Sequence, residues 1–138
     1  MLITKRIEFS ASHVCRNPAF SGEENRRLYG PAANPYGHGH NYVLDVTLEG
    51  SPDPATGMVL DLKELKDILE REVMVPFDHR FLNHEVEPFD RVIPTVENIA
   101  VEIWRRLATA LASPKARLHA VRLYETPDLY VEYFGERS

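Results

Sequence analysis

Two stretches of strict alternation constrain this chain more than any other feature. In residues 2–13, LITKRIEFSASH, the side chains of Ile3, Ile7, Phe9, Ala11 and His13 share one side. In residues 38–48, HGHNYVLDVTL, His38, His40, Tyr42, Leu44, Val46 and Leu48 do the same. Strand side chains repeat every second residue, so each stretch reads as a β-strand with one face turned to a core. The same phase places three histidines in line with apolar neighbours. A buried imidazole needs a partner for each ring nitrogen, and a metal ion is one such partner. Taken alone, His38-Gly39-His40 reads more readily as a pair of half-buried histidines making ordinary hydrogen bonds. His13, in phase with its own apolar face, favours the metal. Three histidines with no obvious fourth ligand match a catalytic zinc site with an open position.

The remaining elements follow from pattern and punctuation. Between the two strands, VCRNPAFSGEENRRLYGPAANPYG is rich in Gly, Pro and Asn and reads as a long functional loop, its ends tied by His13 and His38. After the second strand, SPDPATG supplies turn chemistry, and Met58-Val59-Leu60 reads as a short return strand. Asp61 starts a helix, with Glu64 in a capping-box position. Leu62, Leu65, Ile68, Leu69 and Val73 form its apolar stripe, and Pro76 ends it. Residues 76–94 are irregular. Thr95 caps a second helix with Ile99, Ile103, Leu107 and Leu111 on one side and Glu97 in its first turn; it stops before Pro114. Two closing strands, about 118–125 and 129–134, meet at the turn Thr126-Pro127-Asp128. The order strand, strand, helix, helix, strand, strand predicts an α+β domain over 1–138: a four-stranded antiparallel sheet with two helices on one face. Such a sheet has two open edges, which favours homo-oligomerisation through strand pairing.

Composition narrows the function classes. The 138 residues are 43% hydrophobic and 27% charged, an ordinary globular balance. A net charge of −5 argues against general binding to nucleic acid or an anionic membrane. A substrate phosphate could still be met locally by Arg26-Arg27 or Arg16. No apolar run approaches the roughly 20 residues that span a bilayer. The N-terminus opens directly in a strand pattern rather than in a signal peptide, and Cys15 is the one cysteine. Both fit the reducing cytoplasm.

Other residues carry chemistry with an alternative beside each. Asp78-His79 is a histidine next to a carboxylate, a general acid/base pair if the two face one another and a loop histidine if not. Glu125 shares a strand face with Val121 and Leu123. A carboxylate in apolar company is either salt-bridged internally or binds a ligand offering two N–H donors. Cys15 follows His13 by two and shares its face if the strand continues; free cysteines are more often inert and buried. His84 and His119 have no supporting context.

The segments FSASH (9–13), EEN (23–25), NPYGHGHNY (34–42), DPATGMVLDL (53–62), PFDHRFLN (76–83), PTVENIAVEIW (94–104) and VRLYET (121–126) together resemble the 6-pyruvoyl-tetrahydropterin synthase family. That family includes the 6-carboxytetrahydropterin synthases of queuosine biosynthesis. The resemblance implies the tunnelling fold, assembled as trimers that pair into hexamers, and a zinc-dependent lyase acting on the side chain of 7,8-dihydroneopterin triphosphate. It implies zinc on His13, His38 and His40, a proton relay in Asp78 and His79, and a pterin anchor in Glu125 helped by Thr95 and Glu97. Sites of this fold lie between subunits. One departure stands out. The family's catalytic cysteine falls on Ala32, whose methyl group cannot move a proton. Candidate substitutes are Cys15, Glu23, Glu24 or a zinc-bound hydroxide. The alternatives are a pterin-binding oligomer without synthase activity, an aldolase-like enzyme that cleaves the dihydroneopterin side chain, and a zinc protein unrelated to pterins.

Overall fold

Strands β1 (Leu2–His13) and β2 (His38–Gly50) run antiparallel in unbroken register, from Leu2 opposite Glu49 to His13 opposite His38. This computed structural model describes residues 1–111 and 113–136. β4 (Ala116–Thr126) pairs with the free side of β2, and β5 (Leu129–Tyr133) pairs with β4, both antiparallel. A further two-residue strand, β3 (Arg80–Phe81), lies parallel to β1 at Ala11 and Ser12. The sheet order is β3-β1-β2-β4-β5, so the sheet is five-stranded and mixed where four antiparallel strands were expected. Two residues carry no alternation to read. β3 exists because the chain just before it is fastened to β1: the His79 N–H donates to the Ser10 carbonyl (2.6 Å), and Asp78 Oδ1 accepts from the Ser10 N–H (2.9 Å).

The connection from 14 to 37 is structured. Helix α1 (Gly22–Tyr29) is capped by the Ser21 hydroxyl, which accepts from the Glu24 N–H (3.1 Å), and a 3₁₀ turn covers Gly30–Ala33. Only Asn25 of α1 is buried, so the helix has no apolar stripe and leaves no 3.6-residue period in the sequence. Met58-Val59-Leu60 forms no strand. β2 already has a neighbour on each side, which leaves no edge for a return strand; the Asp53 N–H donates instead to the Met58 carbonyl within the turn (2.9 Å).

α2 (Leu62–Leu69) begins at Asp61, whose carboxylate accepts from the Lys63 N–H (2.9 Å). It does not stop before Pro76. The chain widens into a π-helical segment, Glu70–Met74, and resumes as α3 (Val75–Phe77), with Pro76 in a first turn where no amide donor is required. Leu62 is 57% exposed, so the buried stripe is Leu65, Ile68, Leu69 and Val73, extended by Phe77. α4 (Leu82–Glu85) is a single turn, and α5 (Val96–Ala110) is capped by the Thr95 hydroxyl on the Asn98 N–H (3.3 Å).

The helices cover one face of the sheet, where Phe9, Tyr42, Leu44, Val46, Leu48, Val121 and Leu123 pack against the Leu65, Ile99, Ile103 and Leu107 side chains. The other face is a polar ladder of directly opposed pairs: Thr4 with Thr47 (2.8 Å), Arg6 with Asp45 (2.7 and 3.0 Å) and Ser10 with Asn41 (2.7 Å). Opposed pairs of this kind stabilise a sheet face that water reaches. No described helix is long and apolar enough to cross a membrane.

Candidate functional site

The end of the β1–β2 pair brings the three histidines together. His13 and His38 are opposite one another, and His40 is opposite Ala11. Their ring centroids are 4.6, 5.2 and 4.9 Å apart, and one ring nitrogen from each lies within 4.8 Å of the others. His13 Nδ1 is 2.7 Å from the Pro94 carbonyl. A carbonyl only accepts, so Nδ1 carries the proton and Nε2 is left bare. That bare nitrogen lies 3.0 Å from His38 Nε2, close to the ~3.3 Å that separates two nitrogens around a tetrahedral zinc ion. His40 Nε2 is buried with no partner among the described residues. Burial pushes the His13 pKa down to about 4 and that of His40 below its ordinary value, which favours the neutral rings that metal ligation requires. Three convergent imidazole donors, with His40 Nε2 unpartnered among the described residues, could hold a first-row divalent metal ion.

A carboxylate faces this trio. The β4–β5 register slips by one residue between Tyr124 and Thr126, so Glu125 is the extra residue of a β-bulge, a device that re-aims a side chain. Glu125 interacts electrostatically with His40, Tyr42 and Cys15, and it makes no hydrogen bond or ion pair among the described residues. Of the two readings of this acid, the structure supplies no internal salt bridge. A cavity of about 600 Å³ is lined by His40 and Glu125 together with Tyr124 and, from the polar face of the sheet, Arg6, Glu8 and Asn41. Tyr42 is a site residue that the sequence reading placed only in the core. Its hydroxyl is fully buried without a partner among the described residues, and its phase with His38 and His40 was the available signal.

Cys15 lies beyond the end of β1 yet stays beside the site. Its N–H donates to the Ala32 carbonyl (2.9 Å), and the thiol is buried. Burial, reinforced by the carboxylates of Glu125 and Glu97, pushes its pKa up to about 11, so at neutral pH it is a protonated thiol. Thr95 and Glu97 open α5 immediately after Pro94, the residue that holds His13. The Thr95 hydroxyl is engaged as the helix cap, and Glu97 is exposed.

Asp78 and His79 do face one another, with His79 Nδ1 2.9 Å from Asp78 Oδ2. The Ser10 N–H holds the Asp78 carboxyl below the usual range; partial burial opposes it and His79 assists. His79 has φ 61° and an 82% exposed side chain, and no hydrogen bond, ion pair or ring contact joins the pair to the histidine trio of the same chain among the described residues. Glu23 and Glu24 sit exposed in the first turn of α1. His84 packs its ring on Phe81 (4.9 Å), and His119 pairs with Glu49 (3.3 Å).

Comparison with known proteins supplies an independent view. Residues 2–136 match the family model for 6-pyruvoyl tetrahydropterin synthase. The chain is 47% identical over 134 residues, 97% of its own length and 91% of the relative, to a 6-pyruvoyl tetrahydrobiopterin synthase of Pongo abelii. It is 30% identical over 145 aligned residues, 94% of its length and 96% of the relative, to a 6-carboxy-5,6,7,8-tetrahydropterin synthase of Rickettsia bellii (strain RML369-C). The solved structure of Caenorhabditis elegans 6-pyruvoyl tetrahydropterin synthase superposes with a TM-score of 0.93 at 36% identity, covering 99% of this chain and 96% of that one.

Proposed function

The chain belongs to the 6-pyruvoyl tetrahydropterin synthase family, and on that premise we propose that it is a zinc-dependent lyase acting on the side chain of 7,8-dihydroneopterin triphosphate. Its α+β architecture is the tunnelling fold of that family. The observation that carries the proposal is Glu125: an unpaired carboxylate on a bulge, lining one cavity with His40. A pterin ring offers two parallel N–H donors on one edge, the partner that a free carboxylate binds bidentately. Glu125 thus anchors the ring, with Thr95 and Glu97 at the start of α5 as further substrate contacts, and sets the side chain toward the histidines.

His13, His38 and His40 are the residues that hold zinc. When bound, zinc supplies Lewis-acid polarisation of a side-chain oxygen. The chain's own groups handle protons. Ala32 offers none, and Cys15, tethered to Ala32 through the backbone, is a nearby group with an exchangeable proton. Its raised pKa makes it a donor in the resting protein. Asp78 and His79 make no contact with their own trio among the described residues, and we assign them to the site of a neighbouring subunit. Most of β1 outside Ala11 and Ser12 and the outer side of β5 are unpaired edges, which suits a homo-oligomer closed by strand pairing into a trimer or a pair of trimers. The single thiol suits a cytoplasmic location.

Elimination of triphosphate with internal redox is the favoured reaction, since the 47%-identical relative bears the pyruvoyl name and the carboxy-type relative is 30% identical. A second reading follows from Ala32: a pterin-binding oligomer that no longer turns over. Incubation with 7,8-dihydroneopterin triphosphate separates the two. New pterin products support the lyase, whereas tight pterin binding with no product supports the second reading.

A further inference from the structure

We propose that the cavity between residues 14–18, α1 and the 89–92 turn is a binding site for an oligophosphate chain. It stands on the geometry of the cavity alone and does not depend on the pterin reading. The cavity holds about 410 Å³, within the range of small-ligand sites. Its ionisable lining includes Arg16, Arg26 and Arg91 against the single carboxylate of Asp90, a local positive surplus on a chain of net charge −5. Arg91 is already engaged by Glu87 (2.9 Å) and Asp90 (3.2 Å). Arg16 and Arg26 enter no ion pair among the described residues.

The Arg26 guanidinium folds back over the start of its own helix, where Nη1 lies 3.7 Å from the position a β-carbon on Gly22 would take. A β-carbon there would be in ordinary contact with the guanidinium, so the corner holds the charge of Arg26 beside the first turn of α1. The helix start adds outward-pointing amides and the positive end of the α1 dipole to the same corner. Glu23 and Glu24 share that turn and do not line the cavity.

The walls are built rather than incidental. Buried Asn25 accepts from the Asn17 N–H (2.8 Å) and donates to the Asn17 carbonyl (3.1 Å), which pins the 14–20 segment to α1. Asn83 brackets Val14 in the same way, accepting from its N–H (2.8 Å) and donating to its carbonyl (2.9 Å). A cavity whose walls are already ordered loses little conformational entropy when a ligand arrives. The inner end is apolar, formed by buried Val14, Ala33 and Phe89, so polar recognition is confined to the rim. Two free planar guanidiniums on that rim match a chain of phosphates, whose oxygens accept the paired donors of each fork.

The cavity shares the end of β1 with the histidine site. Val14 and Ala33 line it; their sequence neighbours are His13, a member of the histidine trio, and Ala32, which accepts from the Cys15 N–H. The oligophosphate could therefore be the tail of a phosphorylated substrate or a free molecule of the same chemistry.

Binding of inorganic tripolyphosphate to the full chain, followed by isothermal titration calorimetry at low salt, tests the site. One saturable site per chain is expected. The doubly substituted Arg16→Ala/Arg26→Ala chain should bind at least tenfold more weakly, since each lost charge-assisted contact is worth about that factor. Arg27→Ala, on the same helix but outside the cavity lining, should bind as the unsubstituted chain does. Thermal melting of each variant verifies that it is folded. Absence of saturable binding, or equal loss in Arg27→Ala, overturns the proposal. Two further outcomes uphold the site and identify its source. If tripolyphosphate competes with 7,8-dihydroneopterin triphosphate but not with 7,8-dihydroneopterin, the tail occupies the cavity. If it competes with neither, the ligand is a free oligophosphate.

Discussion

The backbone N–H of Cys15 donates to the carbonyl of Ala32 across 2.9 Å, joining the chain's one thiol to the residue on which the family resemblance implies a catalytic cysteine. The bond ties the end of β1 to the segment that leads into β2. It keeps a buried thiol beside Glu125, while Ala32 itself presents only a methyl group.

If Cys15 moves a proton during turnover, Cys15→Ala should lower kcat by about a hundredfold, the usual scale of one general acid/base group, with little change in KM. Restoring a thiol in the Cys15→Ala/Ala32→Cys chain should recover most of the loss. Product formation measured by fluorescence after oxidation of the pterins checks both, and undiminished turnover in Cys15→Ala removes the thiol from the mechanism.

Glu125→Gln keeps the shape of the side chain and removes its charge. Replacing a bidentate carboxylate contact, worth about 1.5–3 kcal/mol, should weaken pterin binding by roughly 10- to 100-fold. Metal content, measured by atomic emission, should be unchanged because Glu125 is not among the clustered donors. Unchanged affinity for 7,8-dihydroneopterin would rule out the anchor.

The buried histidines make the metal-free chain sensitive to acid. Unfolded histidines bind protons near pH 6.5, whereas burial holds folded His13 neutral down to about 4. Between these values the unfolded state binds more protons, so stability falls as pH drops from about 7 toward 4. The two pKa values give His13 alone a loss of about 3 kcal/mol. Urea melts at pH 7.5 and 5.0 should show the decline, and His13→Ala should flatten it. Added zinc should raise stability at pH 7.5 by about 2.7 kcal/mol at a hundredfold excess over its Kd, and that gain should vanish in His38→Ala/His40→Ala.

Asp78 and His79 carry a prediction about assembly. If they serve a neighbour's site, His40→Ala and His79→Ala chains should each be inactive alone. Co-refolded as an equal mixture, they should regain about a quarter of full activity, because one interface in four then pairs an intact trio with an intact Asp-His. No recovery in subunits shown to have mixed would place the relay elsewhere.

Much of the fold was legible because its information is local. The alternation of 2–13 and 38–48 specified β1 and β2, and the caps at Asp61 and Thr95 specified where α2 and α5 begin. Elements without a pattern of their own were not legible. α1 buries only Asn25, β3 is two residues long, and Met58-Val59-Leu60 had β-like residues but no free strand edge to join. The bulge at Glu125 was hidden too, because a one-residue slip belongs to the pairing of two strands and not to either one.

By itself, the sequence determined which side of each strand His13, His38 and His40 occupy, since a period of two needs no knowledge of neighbours. Only the tertiary structure decided that one nitrogen of each converges, that the Pro94 carbonyl accepts a hydrogen bond from His13 Nδ1, and that Glu125 has no internal partner among the described residues. Those facts depend on segments dozens of residues apart meeting at ångström distances. Chain folding sets such distances, and local periodicity does not encode them.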